Sequence, residues 1–220
     1  MKILALISFY DEQPADFRLT ILSLTGFVDK ILVLDGAYKD WPDGRPASPG
    51  WQIEALGDVC AEAKLPFHYW APPVVWEHND LGKRQALMDF ARDIGGDWVF
   101  CIDADEMIVT HGMARPRLIR TDLDVASISR CGISPFAADR EAGVQPLLAA
   151  RNLMRLTPGL TLEVGHGMYR NERGCLWNPD DAEALDLTKE VLLYHFPRSN
   201  ADRREPARAH YYAHGGEGRG

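Results

Sequence analysis

Three carboxylates follow one apolar stretch, in the segment WVFCIDADEM at residues 98–107. If this segment is extended, residues two apart point to the same side, roughly 6.5 to 7 Å from each other. Asp103 and Asp105 would then face one space, with Ala104 turned away and Glu106 next in the chain. Two such carboxylates can share a divalent cation, or one can bind the cation and the other a sugar hydroxyl. The alternative is an ordinary solvated strand end.

Magnesium or manganese would suit the cation site, because both prefer oxygen ligands and often complete their shell with substrate phosphates. A phosphate can also be bound by a glycine-rich loop. The sequence has no GxGxxG after its first apolar stretch and no GxxxxGK[ST] anywhere. Dinucleotide and P-loop sites are therefore disfavoured, and a cation could hold phosphates instead.

The apolar segments predict an alternation of strands and helices in the first half. The runs at 2–9 and 30–36 are almost continuously apolar, which is typical of buried parallel strands. The segment between them predicts a helix that Pro14 opens and Gly26 stops. Further helices are expected at 51–64 and from Asp80 to the glycine pair at 95–96, with strands at 67–73 and 97–107. This order predicts a parallel sheet with right-handed crossovers.

Ligands of open parallel sheets bind outside the carboxyl ends of the strands. The sequence places Asp11, Asp35 and the carboxylates of 103–106 at such ends, and Tyr10 lies in a predicted loop where it could stack on a base or a sugar. Beyond residue 110 the pattern is looser, with strands expected at 124–133, 160–168 and 190–196 and a helix at 199–212.

Composition narrows the class of protein. The chain has 220 residues, of which 46% are hydrophobic and 25% charged, and this balance is typical of a globular protein. A net charge of −8 disfavours non-specific binding of nucleic acid. No apolar run approaches the ~20 residues that cross a bilayer, and we interpret the N-terminus as a first strand, not a signal peptide. Four widely spaced cysteines favour a reducing, cytoplasmic location.

Three segments of the first half together resemble glycosyltransferases of the GT-A fold, particularly family 2. FVDKILVLDGAYKD at 27–40 resembles a strand whose final Asp contacts the nucleobase, which implies that role for Asp35. GKRQAL at 82–87 resembles a helix start in which Arg84 matches the family's Arg. VFCIDADE at 99–106 resembles the strand that ends in the family's DxD motif, and the order and spacing of the three blocks agree across residues 1–110.

The second half resembles the family more loosely. EVLLYHFPRS at 190–199 resembles a late strand whose His completes the metal site, which implies His195 as a ligand. EVGHGMY at 163–169 resembles a segment in which many relatives carry His–Glu, with the Glu as catalytic base. Here Gly167 follows His166, so that carboxylate is missing. Glu163, His166 and Glu172 are candidate bases by position; for Glu163 and Glu172 a surface role is the alternative.

The resemblance implies an α/β fold that is GT-A-like, with a mostly parallel central sheet flanked by helices. Residues 1–110 would form the nucleotide-sugar-binding half, and 111–220 a less regular, β-containing acceptor half of one continuous domain. The metal ligands would be Asp103, Asp105 and His195. The candidates for nucleotide-sugar binding are Tyr10, Asp11, Asp35, Arg84, Asp103, Arg198 and Arg203.

The implied activity is metal-dependent transfer of a sugar from a nucleoside-diphosphate sugar, most commonly UDP-linked, with Mn²⁺ or Mg²⁺. The acceptor could be a glycan, a protein, a small molecule or a modified nucleobase. One alternative is a nucleotidyltransferase on a related sheet, although SFYDEQPAD at 8–16 lacks the glycine and lysine expected after the first strand. Another is a non-catalytic carbohydrate- or protein-binding relative of the fold, which the missing His–Glu carboxylate keeps open.

Overall fold

The computed structural model describes residues 1–39, 45–76, 81–132, 148–164, 168–172, 174–176 and 182–195. The helices are α1 (Pro14–Ser23), α2 (Gly50–Ala63), α3 (Leu81–Asp93) and α4 (Ala114–Arg120). The strands are β1 (Ile3–Phe9), β2 (Lys30–Asp35), β3 (Phe67–Trp70), β4 (Trp98–Cys101), β5 (Glu106–Thr110), β6 (Val125–Gly132), β7 (Leu148–Arg155), β8 (Thr161–Val164), β9 (Met168–Asn171), β10 (Gly174–Cys175), β11 (Leu185–Asp186) and β12 (Val191–His195).

One large sheet organises the described part of the chain. Its strands run in the order β3-β2-β1-β4-β7-β6-β12-β5, with β11 beside β6. Strands β3, β2, β1 and β4 are parallel to one another, β7 is antiparallel to both β4 and β6, and β12 is parallel to β6. At the far edge β5 runs antiparallel to β12. The predicted α/β class, with a mostly parallel sheet between helices, is confirmed.

Apolar side chains cover both faces of the sheet. One core cluster contains Ile3 and Ile7 of β1 with Phe17 of α1 and Leu56 of α2. The other contains Leu4 and Leu6 with Leu87 of α3. Alternate residues of β1 therefore enter opposite cores, which explains why the strand is almost continuously apolar.

A small second sheet, in the order β10-β9-β8, packs on the α3 side of the molecule. The phenolic oxygen of Tyr169 on β9 donates to Cys101 Sγ at 3.0 Å, and the backbone nitrogen of Leu162 on β8 donates to Gln85 Oε1 at 3.0 Å. These bonds fasten the small sheet to the end of β4 and to α3. Within the predicted strands at 124–133, 160–168 and 190–196, the structure has β6, β8 and β12, and residues 133, 165–167 and 196 lie outside the described ranges.

Helix ends differ in part from the sequence prediction. Helix α1 begins at Pro14 as predicted but ends at Ser23, and Gly26 takes a left-handed conformation (φ +77°) in the turn that follows. Helix α3 ends at Asp93, and the predicted stop is confirmed by Gly95 at φ +71°. No helix in the described ranges is long and apolar enough to cross a membrane.

The segment after β4 is not extended as predicted. β4 ends at Cys101, and the backbone nitrogen of Glu106 donates to the carbonyl oxygen of Asp103 at 3.1 Å, which closes a turn. Thr20 Oγ1 on α1 also donates to the carbonyl oxygen of Ala104 at 2.7 Å. The chain must leave β4 here and reach the far edge of the sheet, so it bends where an extended strand was expected. Asp103 and Asp105 therefore do not share one side of a strand.

Candidate functional site

The polar residues predicted at strand ends do gather along one edge of the sheet. β1, β2 and β4 are parallel and end at Phe9, Asp35 and Cys101. β12 runs in the same direction and ends at His195, where β5 begins antiparallel to it. The pairing places His195 directly opposite Glu106. Residues far apart in sequence thus meet at the carboxyl edge, where ligands of such sheets bind.

Asp103 is ion-paired with Arg84. Arg84 Nη2 lies 2.6 Å from Asp103 Oδ1, and the Arg84 side chain is only 12% exposed. Burial, the largest influence, raises the pKa of Asp103, but Arg84 outweighs it by charge and hydrogen bonding and the pKa falls to about 2. Asp103 is therefore a carboxylate at neutral pH that holds a guanidinium at the edge of the sheet.

Asp105 and His195 form the centre of the candidate metal site. His195 Nδ1 lies 3.9 Å from Asp105 Oδ1 and 3.6 Å from Glu106 Oε1. The Glu106 carboxylate has the largest influence on the pKa of His195, which it raises; burial opposes the rise and the charge of Asp105 adds to it. The imidazole thus lies among carboxylates contributed by the turn after β4.

His195 and Asp105 offer donor atoms of the kinds that the predicted cation accepts. His195 Nδ1 is buried and has no hydrogen-bond partner among the described residues, and it faces the carboxylate of Asp105. Imidazole nitrogen and carboxylate oxygen suit Mn²⁺. In the described ranges no three His, Cys, Asp or Glu side chains are grouped so as to hold an ion by themselves. The pair fits a cation whose remaining ligands come from a substrate.

Asp35 is fully buried and tied to the segment before α2. Its Oδ1 accepts hydrogen bonds from the backbone nitrogen of Gly36 at 2.7 Å and from Ser48 Oγ at 2.8 Å. Its Oδ2 accepts from the backbone nitrogen of Ser48 at 2.8 Å and from the Tyr69 hydroxyl at 2.6 Å. Burial, followed by this bond to Asp35, raises the pKa of Tyr69. The nucleobase contact of Asp35 stays a prediction. In this structure both carboxylate oxygens of Asp35 accept hydrogen bonds from Ser48.

Tyr10 and Asp11 bind the same segment. The Tyr10 hydroxyl donates to the carbonyl oxygen of Arg45 at 2.8 Å. Asp11 takes a left-handed conformation (φ 51°), and its carboxylate accepts from Arg45 Nη2 at 2.9 Å and from Gln52 Nε2 at 2.8 Å. Its backbone nitrogen donates to Ser48 Oγ at 2.7 Å. Ser48 therefore joins the ends of β1 and β2, and sequence reasoning missed it.

Sequence reasoning also missed Lys83, next to the predicted Arg84. Lys83 is fully buried, and its Nζ donates to the carbonyl oxygens of Phe9 at 2.7 Å and Gly36 at 2.9 Å. The ammonium also lies 5.2 Å from the centre of the Tyr38 ring. Gly36 has φ +138°, and a Cβ there would lie 2.7 Å from Trp76 Nε1, so only glycine fits. Lys83 ties the end of β1 to the residue after β2.

Several predicted residues are not placed at this edge by the structure. His166, Arg198 and Arg203 lie outside the described residues, as does the predicted helix at 199–212. Glu163 belongs to β8 by its backbone, and its side chain also lies outside the description. Glu172 follows β9 and is exposed, in agreement with a surface role.

Comparison with known proteins gives no family assignment. No protein-family model matches the chain, and no curated protein matches it. Among solved structures, S. aureus TarS is similar over 62% of this chain and 23% of its own, with 16% identity and a TM-score of 0.45. Residues 1–349 of S. aureus TarS in complex with UDP match with 14% identity and a TM-score of 0.45, over 62% of this chain and 38% of that one.

The complex of the same S. aureus fragment with UDP-GlcNAc matches with 14% identity and a TM-score of 0.46, over 62% of this chain and 36% of that one. This chain thus spans less than two fifths of the length of these structures.

Proposed function

We propose that this chain is a metal-dependent glycosyltransferase that takes a sugar from a nucleoside-diphosphate sugar, with UDP as the first nucleotide to test. The observation that carries the proposal is the meeting of Asp105 and His195, whose facing atoms lie 3.9 Å apart. They come from opposite halves of the chain and meet at the edge where parallel sheets bind ligands. Arg84 brings a positive charge to the neighbouring Asp103.

The reaction must release a nucleoside diphosphate, on which negative charge grows as the glycosidic bond breaks. Asp105 and His195 would hold Mn²⁺ or Mg²⁺, and a bound divalent cation stabilises the charge of the departing diphosphate as a Lewis acid. Arg84 would add its charge to the phosphate oxygens, since a guanidinium binds phosphate as a planar donor. Asp103 positions that guanidinium through its bond of 2.6 Å.

The nucleoside would lie at the ends of β1 and β2, beside Tyr10, Asp11 and Asp35. Ser48 Oγ there donates to Asp35 and accepts from the backbone of Asp11. For Asp35 to accept a hydrogen bond from a base, Ser48 would have to release one carboxylate oxygen. The rearrangement of Ser48 is therefore part of the proposal.

An inverting reaction needs a base within about 3 Å of the acceptor hydroxyl. Glu163 and His166 remain our candidates for that base. The strand that carries Glu163 is held on α3 through the bond between Leu162 and Gln85, close in sequence to Arg84. A retaining reaction would not need this base.

The test is the release of nucleoside diphosphate from a panel of sugar nucleotides, with Mn²⁺ and with EDTA. We expect release by the wild type with Mn²⁺, and loss of release with EDTA and in Asp105→Asn. Asp58→Asn is the matched control, because Asp58 is exposed on α2. Equal background release of nucleoside diphosphate by the wild type and by Asp105→Asn would reject the proposed enzymatic activity. Pyrophosphate formation from a nucleoside triphosphate and a sugar phosphate would identify a nucleotidyltransferase instead.

A further inference from the structure

We propose that Glu106 is a positioning residue that fixes the turn bearing Asp105 next to His195, and that it does not itself bind the cation. This inference rests on the proposed function, since it concerns the same metal site. The Glu106 side chain is only 2% exposed, whereas it carries a charge whose burial is costly unless it is paired. Its partners therefore indicate what it holds in place.

One oxygen of Glu106 closes the turn after β4. Glu106 Oε2 accepts a hydrogen bond from the backbone nitrogen of Asp103 at 3.0 Å. In the opposite direction, the backbone nitrogen of Glu106 donates to the carbonyl oxygen of Asp103 at 3.1 Å. The two bonds fix the backbone on either side of Ala104 and Asp105. The position of the Asp105 carboxylate thus depends on the Glu106 side chain.

The other carboxylate oxygen of Glu106 lies between the guanidinium of Arg130 and the imidazole of His195. Glu106 Oε1 accepts from Arg130 Nη2 at 2.9 Å and lies 3.6 Å from His195 Nδ1. β12 lies between β5 and β6 in the sheet, so the ion pair of Glu106 and Arg130 spans the strand that ends at His195. Because His195 is directly opposite Glu106 in the pairing, their side chains share one face.

These contacts distinguish a positioning role from coordination. Both carboxylate oxygens of Glu106 already accept hydrogen bonds from the protein. Coordination through Oε1 would compete with Arg130, which the buried carboxylate needs as its counter-charge. Residues that orient metal ligands without touching the metal typically change its affinity about 10- to 100-fold when they are mutated. The geometry assigns Glu106 to this class.

The first arm of the test measures the Kd of Mn²⁺ for the metal-free protein by electron paramagnetic resonance, without nucleotide. In Glu106→Gln we expect binding about 10- to 100-fold weaker than in the wild type. The matched control is Glu190→Gln, because Glu190 pairs with Arg117 at 2.5 Å at the opposite end of β12. The control should keep the wild-type Kd, although it also loses a Glu–Arg ion pair.

The second arm measures the ¹⁵N chemical shifts of the His195 imidazole in the metal-free protein. The ¹⁵N signals of His195 should shift in Glu106→Gln and stay unchanged in Glu190→Gln. If Glu106→Gln does not fold, Arg130→Gln tests the same contact and should also weaken Mn²⁺ binding. Wild-type Mn²⁺ affinity in the folded variant would overturn this inference alone. Absence of Mn²⁺ binding by the wild type would overturn the proposed metal-dependent function, and the role of Glu106 with it.

Discussion

Lys83 Nζ lies 2.7 Å from the carbonyl oxygen of Phe9, and the ammonium is fully buried. The bond joins the first turn of α3 to the last residue of β1, and a second bond reaches Gly36 after β2. An ammonium has three donors and no acceptor, so it suits a place where strand ends present carbonyl oxygens. Lys83 thus holds together the two strand ends proposed to bind the nucleoside.

Replacement of Lys83 should destabilise the fold. Lys83→Met leaves two buried carbonyl oxygens without this donor, which should lower the free energy of unfolding by about 2 kcal/mol or more. Urea denaturation measures the change. Lys189→Met, at an exposed lysine, is the control and should stay close to wild type. A Lys83→Met protein as stable as the control would contradict the role of this bond.

Asp35 should tolerate Asn poorly. Four protein donors meet its two oxygens, and Asn would turn an NH₂ group toward two of them. We expect a loss of about 2 kcal/mol in the free energy of unfolding for Asp35→Asn, and about 1 kcal/mol for Ser48→Ala.

If Ser48 covers a base-binding carboxylate, Ser48→Ala should also bind UDP more tightly in calorimetry. Weaker UDP binding would show that Ser48 helps to form the base site.

The pKa of Asp103 depends on Arg84. In the wild type it lies near 2, and in Arg84→Gln it should rise, because burial then acts with less opposition. A depressed folded pKa stabilises the protein above the unfolded pKa of about 3.9, and this contribution is lost as the pH falls toward 2. The wild type should therefore melt higher than Arg84→Gln at neutral pH, and the gap should narrow below pH about 4. A carboxyl ¹³C titration that is the same in both proteins would reject the pairing.

The four thiols should differ in reactivity. Burial raises the pKa of Cys60 to about 12 and also raises the pKa of Cys101, whereas Cys175 is half-buried. Since the thiolate is the reactive form, a disulfide reagent at pH 8 should label Cys175 first in the native protein. Cys60 and Cys101 should react only in denaturant. Mass spectrometry of the labelled peptides identifies the sites, and early labelling of Cys60 would contradict its placement.

The strands of the first half could be predicted because their pattern is local. β1 and β2 are almost continuously apolar, and the structure buries both of their faces. The turn at Asp103 could not be predicted in this way. It depends on a bond from its own backbone to Glu106 and on Thr20, which lies far away in the sequence. The edge strand β5 was missed for a similar reason, since its partner β12 comes last in the described chain.

Lys83 did leave a signal in the sequence. Leu87 and Ala91 lie four and eight residues after it and are buried, so Lys83 extends their apolar stripe by one turn. A lysine on such a stripe is normally expected to reach solvent. The sequence could not show that two carbonyl oxygens meet the lysine at that point. They belong to Phe9, the last residue of β1, and to Gly36, the residue after β2. The link between Asp105 and His195 came only from the family resemblance, because no local pattern joins them.

We expect Asp105 and His195 to hold a divalent cation against a nucleoside diphosphate. Crystals grown with Mn²⁺ and UDP, measured at the manganese absorption edge, would show whether they do. An anomalous peak is expected about 2.0 to 2.2 Å from an Asp105 oxygen and a His195 nitrogen, in contact with the diphosphate. Ordered UDP at the carboxyl edge with no manganese beside these two residues would contradict it.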